Sequence, residues 1–373
     1  MADSLWLEEP APPLGSRRLD RPPDVEIVGG GVTGCSCALT LAKAGLGVRL
    51  HEARTIAGGA SGRNGGFALR GGAMAYDEAR TSLGSERAHT LWELTERGLD
   101  SIEELGGDAF RRTGSLRLAA DETELGEIEA EYRALELDGF AVEWVRDLPE
   151  QLRGFTGGFR HVPDAAIQPA RWVRRLAQRA AAAGAELREH STVESLEALE
   201  AAQIVLATDG YTHGLLPELD AVILPVRNQV VVTEPLDELL FPFPHYSRRG
   251  FDYWQQTPDR RLVVGGKRDS DPDVERTSEE ALTRPIQDEL ERFVRDLVGK
   301  LPPITHRWSG IFGSSPDGRP LAGRIPGQER AWVAAGYSGH GNVLGFVCGR
   351  MVAEAILGAP PVELELFDPA RVL

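Results

Sequence analysis

The sequence predicts an α/β protein whose first domain is Rossmann-like, and three observations carry that prediction. Residues 25–52, VEIVGGGVTGCSCALTLAKAGLGVRLHE, read as a strand, a glycine-rich turn, a helix and a second strand. Strand-like and amphipathic helical segments alternate along the rest of the chain. The length, 373 residues, exceeds one small domain and suits two with sizeable cores.

Taken in order, residues 1–24 are proline-rich and aperiodic, so a surface leader of extended chain pinned by Trp6 is expected. Val25, Ile27 and Val28 make a short apolar strand. Gly29, Gly31 and Gly34 follow at GxGxxG spacing where a helix over residues 32–44 must begin. The first glycine permits the tight turn, the second lets a pyrophosphate approach, and the third lets the helix pack on the strand. Val32 and Thr33 open that helix, whose unpaired N–H groups and positive dipole end suit phosphate. Glu52 ends the second strand, where an acid accepts hydrogen bonds from an adenosine ribose; this favours FAD or NAD over NADP.

Next comes ARTIAGGASGRNGGFALRGG, too glycine-dense and too long for one turn. Its small residues let backbone pass close to a flat ligand, with Ser61, Arg63 and Asn64 as orienting polar groups. A helix over residues 81–106, a strand at 114–119, a helix over 122–137 and a strand at FAVEWV follow without a chemical motif. Gln168 and Pro169 open a helix closed by Gly184, then ELREH and TVESLE read as short strands and AQIVLATDG as an apolar one. ILPVRNQVVVTEP is a long β segment, LVVGG a strand ending at Lys267, and residues 278–297 a helix. AWVAAGYSGHGN closes the chain as a strand running into glycine-rich backbone at the start of a helix over 343–356, a site for negative charge.

Acidic residues outnumber basic ones, 57 to 41, for a net charge of -16, which argues against nucleic acid and anionic membrane surfaces as partners. No apolar run reaches the roughly 18 residues of a membrane span, and residues 1–23 lack the pattern of a signal peptide, so a cytoplasmic enzyme is expected. Cys35, Cys37 and Cys348 build no zinc pattern. The first two point to different faces of one helix and read as reduced, packed thiols.

GGGVTG, HEA, GGASGRNGG and SGHGN together resemble the D-amino-acid oxidase superfamily of FAD-dependent oxidoreductases. The likeness is to the branch with sarcosine oxidase, glycine oxidase and gamma-glutamylputrescine oxidoreductase, and ASGRNGG is especially typical of the last. The resemblance implies an FAD-binding domain at residues 1–78, 154–222 and 304–373, interleaved with an α+β substrate domain at 79–153 and 223–303 built on a mostly antiparallel sheet. It implies noncovalent FAD, since Cys348 does not match the family's attachment position. Beyond the residues already named, cofactor contacts are implied at Ala53, Arg54, Ala60, Gly65, Gly66, Val193, Ala207, Thr208, Gly310, Gly336, Gly339, His340, Gly341 and Asn342.

The implied chemistry is oxidation of a C–N bond in a small amine or amino acid, with molecular oxygen as acceptor. A dehydrogenase with another acceptor is the nearest alternative. An NAD enzyme leaves ASGRNGG and SGHGN unexplained, and a regulatory module without chemistry needs no substrate sheet. Arg70 stands where sarcosine oxidases carry a carboxylate-binding arginine, with Arg248 and Arg249 as rivals; Tyr253 and Trp254 suit an aromatic wall. Sarcosine oxidases place an oxygen-activating lysine where this chain has Val263, while Lys267 falls where they keep another active-site basic residue. His340 is the titratable candidate of the closing motif. A monomer or homodimer is expected.

Overall fold

The strand Val25–Val28 lies in the middle of a six-stranded sheet, as an apolar strand buried on both faces must. The order across the sheet is Leu321–Arg324, Ala331–Ala335, Gln203–Leu206, Val25–Val28, Val48–His51, Glu186–Arg188, parallel except for the first. The helix Val32–Lys43 packs between Pro169–Ala182 and Gly341–Ile356, which together seal this sheet. The computed structural model describes residues 4–373, so the first three residues of the leader lie outside it. The leader is pinned as expected: Trp6 is buried and donates from Nε1 to the Asn64 carbonyl at 2.8 Å.

A second sheet has eight strands, in the order Ile304–Ser314, Leu224–Pro235, Arg261–Gly266, Asp252–Gln256, His245–Ser247, Ser115–Ala119, Gly157–His161, Val142–Val145. All neighbours are antiparallel except His245–Ser247 against Ser115–Ala119. Residues directly opposite one another share a face. One row therefore runs Gly265, Tyr253, Tyr246, Arg117 and Phe159 across five strands. The chain visits the two sheets alternately, which is the interleaved α/β architecture the sequence predicts.

Several elements depart from expectation. Gly157–His161 and Ile304–Ser314 hydrogen-bond into the eight-stranded sheet, although both fall in segments expected to complete the nucleotide domain. The helix expected over 81–106 is two, Tyr76–Leu83 and Ser85–Gly106, because Gly84 at φ 85° breaks it. TVESLE pairs with no strand and ends in a short 3-10 turn, Leu196–Ala198. The helix expected from 278 begins only at Arg284, where Pro285 fits its first turn. Trp254 cannot share a wall with Tyr253: alternation turns it to the opposite face, where it stacks on His245 at 5.2 Å.

Candidate cofactor and substrate site

The glycine turn is shaped by contacts that no side chain would permit. Gly29 has φ 112°, and a Cβ on Gly34 would run into the Gly29 carbonyl. Glu52 holds the turn: its Oε2 accepts the Gly30 N–H at 2.7 Å and its Oε1 the Arg54 N–H at 2.8 Å. Ser61 Oγ accepts the Val32 N–H at 3.0 Å, tying ASGRNGG to the start of the first helix.

That loop is fixed from behind, carbonyl by carbonyl. Ser4 Oγ binds the Gly62 carbonyl, Trp308 Nε1 that of Arg63 at 2.9 Å, and Trp6 Nε1 that of Asn64. Gln255 Nε2 takes those of Gly65 and Gly66. The Asn64 and Asn342 side chains exchange two amide hydrogen bonds of 3.2 and 3.1 Å, so motifs 278 residues apart meet directly. Asn342 lies in the first turn of Gly341–Ile356, whose leading N–H groups have no partners within the helix and open toward the same space.

A cavity of about 900 Å³ joins these parts. It runs from Glu52, Ala53, Arg54 and Val193, past Gly29, Gly31, Val32, Thr33, Ala207 and Thr208, to Ala60, Ser61, Arg63, Asn64 and Gly65. It then passes Gly310, Gly339, His340, Gly341 and Asn342 and reaches the inner face of the eight-stranded sheet at Tyr253. Arg70 borders it as well. Four expected site residues do not: Gly34, Gly66 and Gly336 support the wall from behind, and Lys267 turns away with a left-handed φ of 61° to pair with Asp252 at 2.8 Å. Lys267 also lies over the Phe293 ring at 4.5 Å, and Val263 is in the core. Among the described residues no lysine and no cysteine lines the cavity.

The rival arginines differ in their partners. Arg248 pairs with Asp269, and Arg249 with Glu127 at 2.6 Å. The Arg70 guanidinium is wholly buried; it donates to Glu96 at 2.6 Å and from its other terminal nitrogen to His161 Nδ1 at 3.1 Å.

Sequence reasoning passed over several wall residues. Arg268, next to Lys267, enters the cavity where Lys267 does not, lying over the Phe251 and Phe312 rings at 4.3 and 5.6 Å. Asn228 donates to the Tyr253 hydroxyl at 3.1 Å. Arg117, His161 and Tyr246 line the far end. Asp209 gathers three segments: Oδ2 accepts the Gly313 N–H at 2.9 Å, and Oδ1 those of Gly336 at 2.8 Å and Tyr337 at 3.4 Å. The signal for Arg117 was a charged residue inside the apolar strand SLRLA.

Burial sets the protonation states. His340, lining the cavity, is pushed down to about 4, the Ser338 carbonyl opposing only in part, so its imidazole is neutral near pH 7. His161 is driven well below the ordinary histidine range by burial and then by Arg70 and Arg117. Burial raises Asp164 to about 6, with Arg70 opposing, and raises the Tyr253 phenol so that it keeps its proton.

A Rossmann-type cradle with an acid at its ribose end, opening onto a sheet face that carries polar side chains, is the site of an oxidoreductase that works through a bound dinucleotide. Residues 24–355 match the model of the DAO family, FAD dependent oxidoreductase, and the chain belongs to that family. It is therefore an FAD-dependent oxidoreductase, and the close-packed glycines, the Glu52 clamp and the helix start at Gly341 fit that cofactor. The chain is 30% identical to gamma-glutamylputrescine oxidoreductase of Escherichia coli over 92% of its own length and 85% of the relative's. Glycine oxidase from Geobacillus kaustophilus has the same fold at a TM-score of 0.75 and 22% identity, covering 94% of this chain and 97% of that one. L-proline dehydrogenase from P.horikoshii does so at 0.77 and 23%, covering 95% and 98%.

Proposed function

We propose that this protein oxidises the C–N bond of an amine or amino acid, giving an imine that water hydrolyses, with oxygen as acceptor and peroxide as product. The observation that carries the proposal is the continuous cavity from Glu52 to the sheet face at Tyr253, which lets a substrate lie against the reactive end of a cofactor held in the cradle. The relatives named for amine and amino-acid oxidation support the substrate class.

Bound FAD would accept a hydride from the carbon bearing the amine; the protein orients, excludes water and supplies fixed dipoles. Glu52 would receive the ribose hydroxyls, and the Thr33 amide, with the Ser61 hydroxyl that the Val32 amide holds in place, the pyrophosphate. The helix start at Gly341 and Asn342 would stabilise negative charge at the ring system's far end. Tyr253, protonated and held by Asn228, would form the wall against the substrate and serve as a donor rather than a base. His340, neutral and next to this helix start, would orient the loop. Attachment is noncovalent in this reading, supported by three buried cysteines that stay clear of the cavity. The proposed domains are residues 1–78, 154–222 and 304–373 for the cofactor and 79–153 and 223–303 for the substrate, with the strands Gly157–His161 and Ile304–Ser314 of the first adding to the eight-stranded sheet.

A second reading, a dehydrogenase with another acceptor, is favoured by the lack of any lysine on the cavity wall among the described residues. Product analysis in air tests the proposal. A carbonyl compound, an amine or ammonia, and peroxide in equal amounts are expected from a responsive amino acid. Carbonyl product formed only with an added dye would favour the second reading, and no carbonyl product from any amine would overturn both.

A further inference from the structure

Resting on this oxidoreductase reading, we infer that the cavity binds an extended amino diacid, with one carboxylate on Arg268 and a second on a cluster of Arg117, His161 and Trp92. The two ends are separate. Arg268 follows the strand Arg261–Gly266, and Arg117 lies three strands away across Asp252–Gln256 and His245–Ser247, a backbone separation of about 14 Å. Tyr253 and Tyr246 stand between Gly265, the row's end beside the turn that carries Arg268, and Arg117.

At the first end the Arg268 guanidinium has a single hydrogen bond among the described residues, from Nη1 to the Gly250 carbonyl at 3.2 Å. The acids near it are taken: Asp252 pairs with Lys267 and Asp269 with Arg248. Two phenylalanine rings flank the cation, and Asp269 and Asp252 act on it only at longer range, so its guanidinium faces the cavity without an ion pair among the described residues. A carboxylate is the group such a fork binds best.

At the second end the buried unpartnered groups are donors apart from Glu131 Oε2, which Arg117 faces in an ion pair. Arg70 can only donate, so His161 Nδ1 accepts its hydrogen bond and the imidazole proton sits on Nε2, which is buried without a partner. Trp92 Nε1 and Arg117 Nε are likewise buried and unpartnered, with both residues on the cavity wall. Arg117 pairs through one terminal nitrogen with Glu131, and its other terminal nitrogen has no protein partner among the described residues. The acids here are engaged, Glu131 by Arg117 and Glu96 by Arg70. Arg117 and the imidazole and indole donors around it favour a carboxylate over an ammonium, although Glu78 also lines the cavity without an ion pair among the described residues.

Three ligands of equal chain length test this on the purified holoenzyme freed of oxygen: adipate and hexanoate, which carry no amine, and hexanediamine, whose bleaching of the flavin is read apart from its binding shift. Binding is followed by flavin absorbance shift and by melting temperature. Adipate is expected to bind about ten- to a hundredfold tighter than hexanoate, and hexanediamine weaker than either. Arg268→Met should weaken adipate and hexanoate alike by about tenfold. Arg117→Met risks a buried unpaired Glu131, so Arg117→Met with Glu131→Gln is made beside it; either should bring the adipate to hexanoate ratio close to one. Equal binding of adipate and hexanoate by the parent protein, or preference for hexanediamine, overturns the inference while flavin reduction by an amine would leave the oxidoreductase reading standing. A chain that carries no flavin removes that reading, and the melting temperatures still decide the ligand preference.

Discussion

The nucleotide end and the substrate end of this cavity are built by different means. Around Gly29, Glu52, Asn64 and Asn342 the wall is mostly backbone, held by hydrogen bonds from Ser4, Trp6, Trp308 and Gln255 to successive carbonyls. Around Tyr253, Tyr246 and Arg117 the wall is side chains, one from each neighbouring strand. A backbone cradle takes any bearer of the same cofactor and depends on conformation; a row of side chains can be exchanged while the sheet stays intact. Substitutions at the first end should therefore unfold the protein or release the cofactor, and substitutions at the second should change what it binds.

The sharpest break in that comparison is Gly34→Val. Its branched side chain meets the Gly29 backbone, so a loss of about 3 kcal/mol or more and no recoverable flavoprotein are expected in a denaturant titration. Asp209 comes next. Asp209→Ala leaves the amides of Gly313, Gly336 and Tyr337 buried without an acceptor and should cost about 3 kcal/mol, whereas Asp209→Asn keeps an acceptor and should cost less than half of that. Equal loss in both variants would mean that the carboxylate's charge, which burial already disfavours, matters more than its hydrogen bonds.

Acid sensitivity sharpens the comparison at the boundary between the two ends. The folded value for His340 is about 4, below its ordinary value, so the unfolded chain binds the proton more readily. The stability this gives is present above pH 6.5 and is lost as pH falls toward 4. His161 and His245, also depressed by burial, act in the same direction. His340→Gln should flatten the dependence of unfolding free energy on pH in this window by up to about 1.4 kcal/mol per pH unit, and an unchanged slope would show that His340 is solvated. The smallest effect is the Asn64–Asn342 pair. A double-mutant cycle with alanine should give a coupling of about 1 kcal/mol, read in FAD affinity, and zero coupling would separate the two motifs functionally.

The same contrast explains what could be read from the sequence. The glycine turn, Glu52, ASGRNGG and SGHGN are local strings whose spacing reflects backbone geometry, and all of them border or support the cavity. Arg117, His161 and Tyr246 come together only through strand register, which no local pattern specifies. Two misreadings were open to correction by physics already available. Strand alternation separates Tyr253 from Trp254, and the glycine pair before Lys267 signals a change of direction that presents Arg268 instead. The break at Gly84 was visible too, since a glycine between two amphipathic runs marks a boundary as readily as it interrupts a helix.

The central claim is that one cavity brings an FAD cofactor and an amine together. The most direct measurement is the visible spectrum of the purified protein, freed of oxygen, as amino acids, amino diacids and diamines are added in turn. A yellow protein whose flavin bands bleach with at least one of these amines is the predicted result. A yellow protein bleached by dithionite but by no amine would contradict the claim.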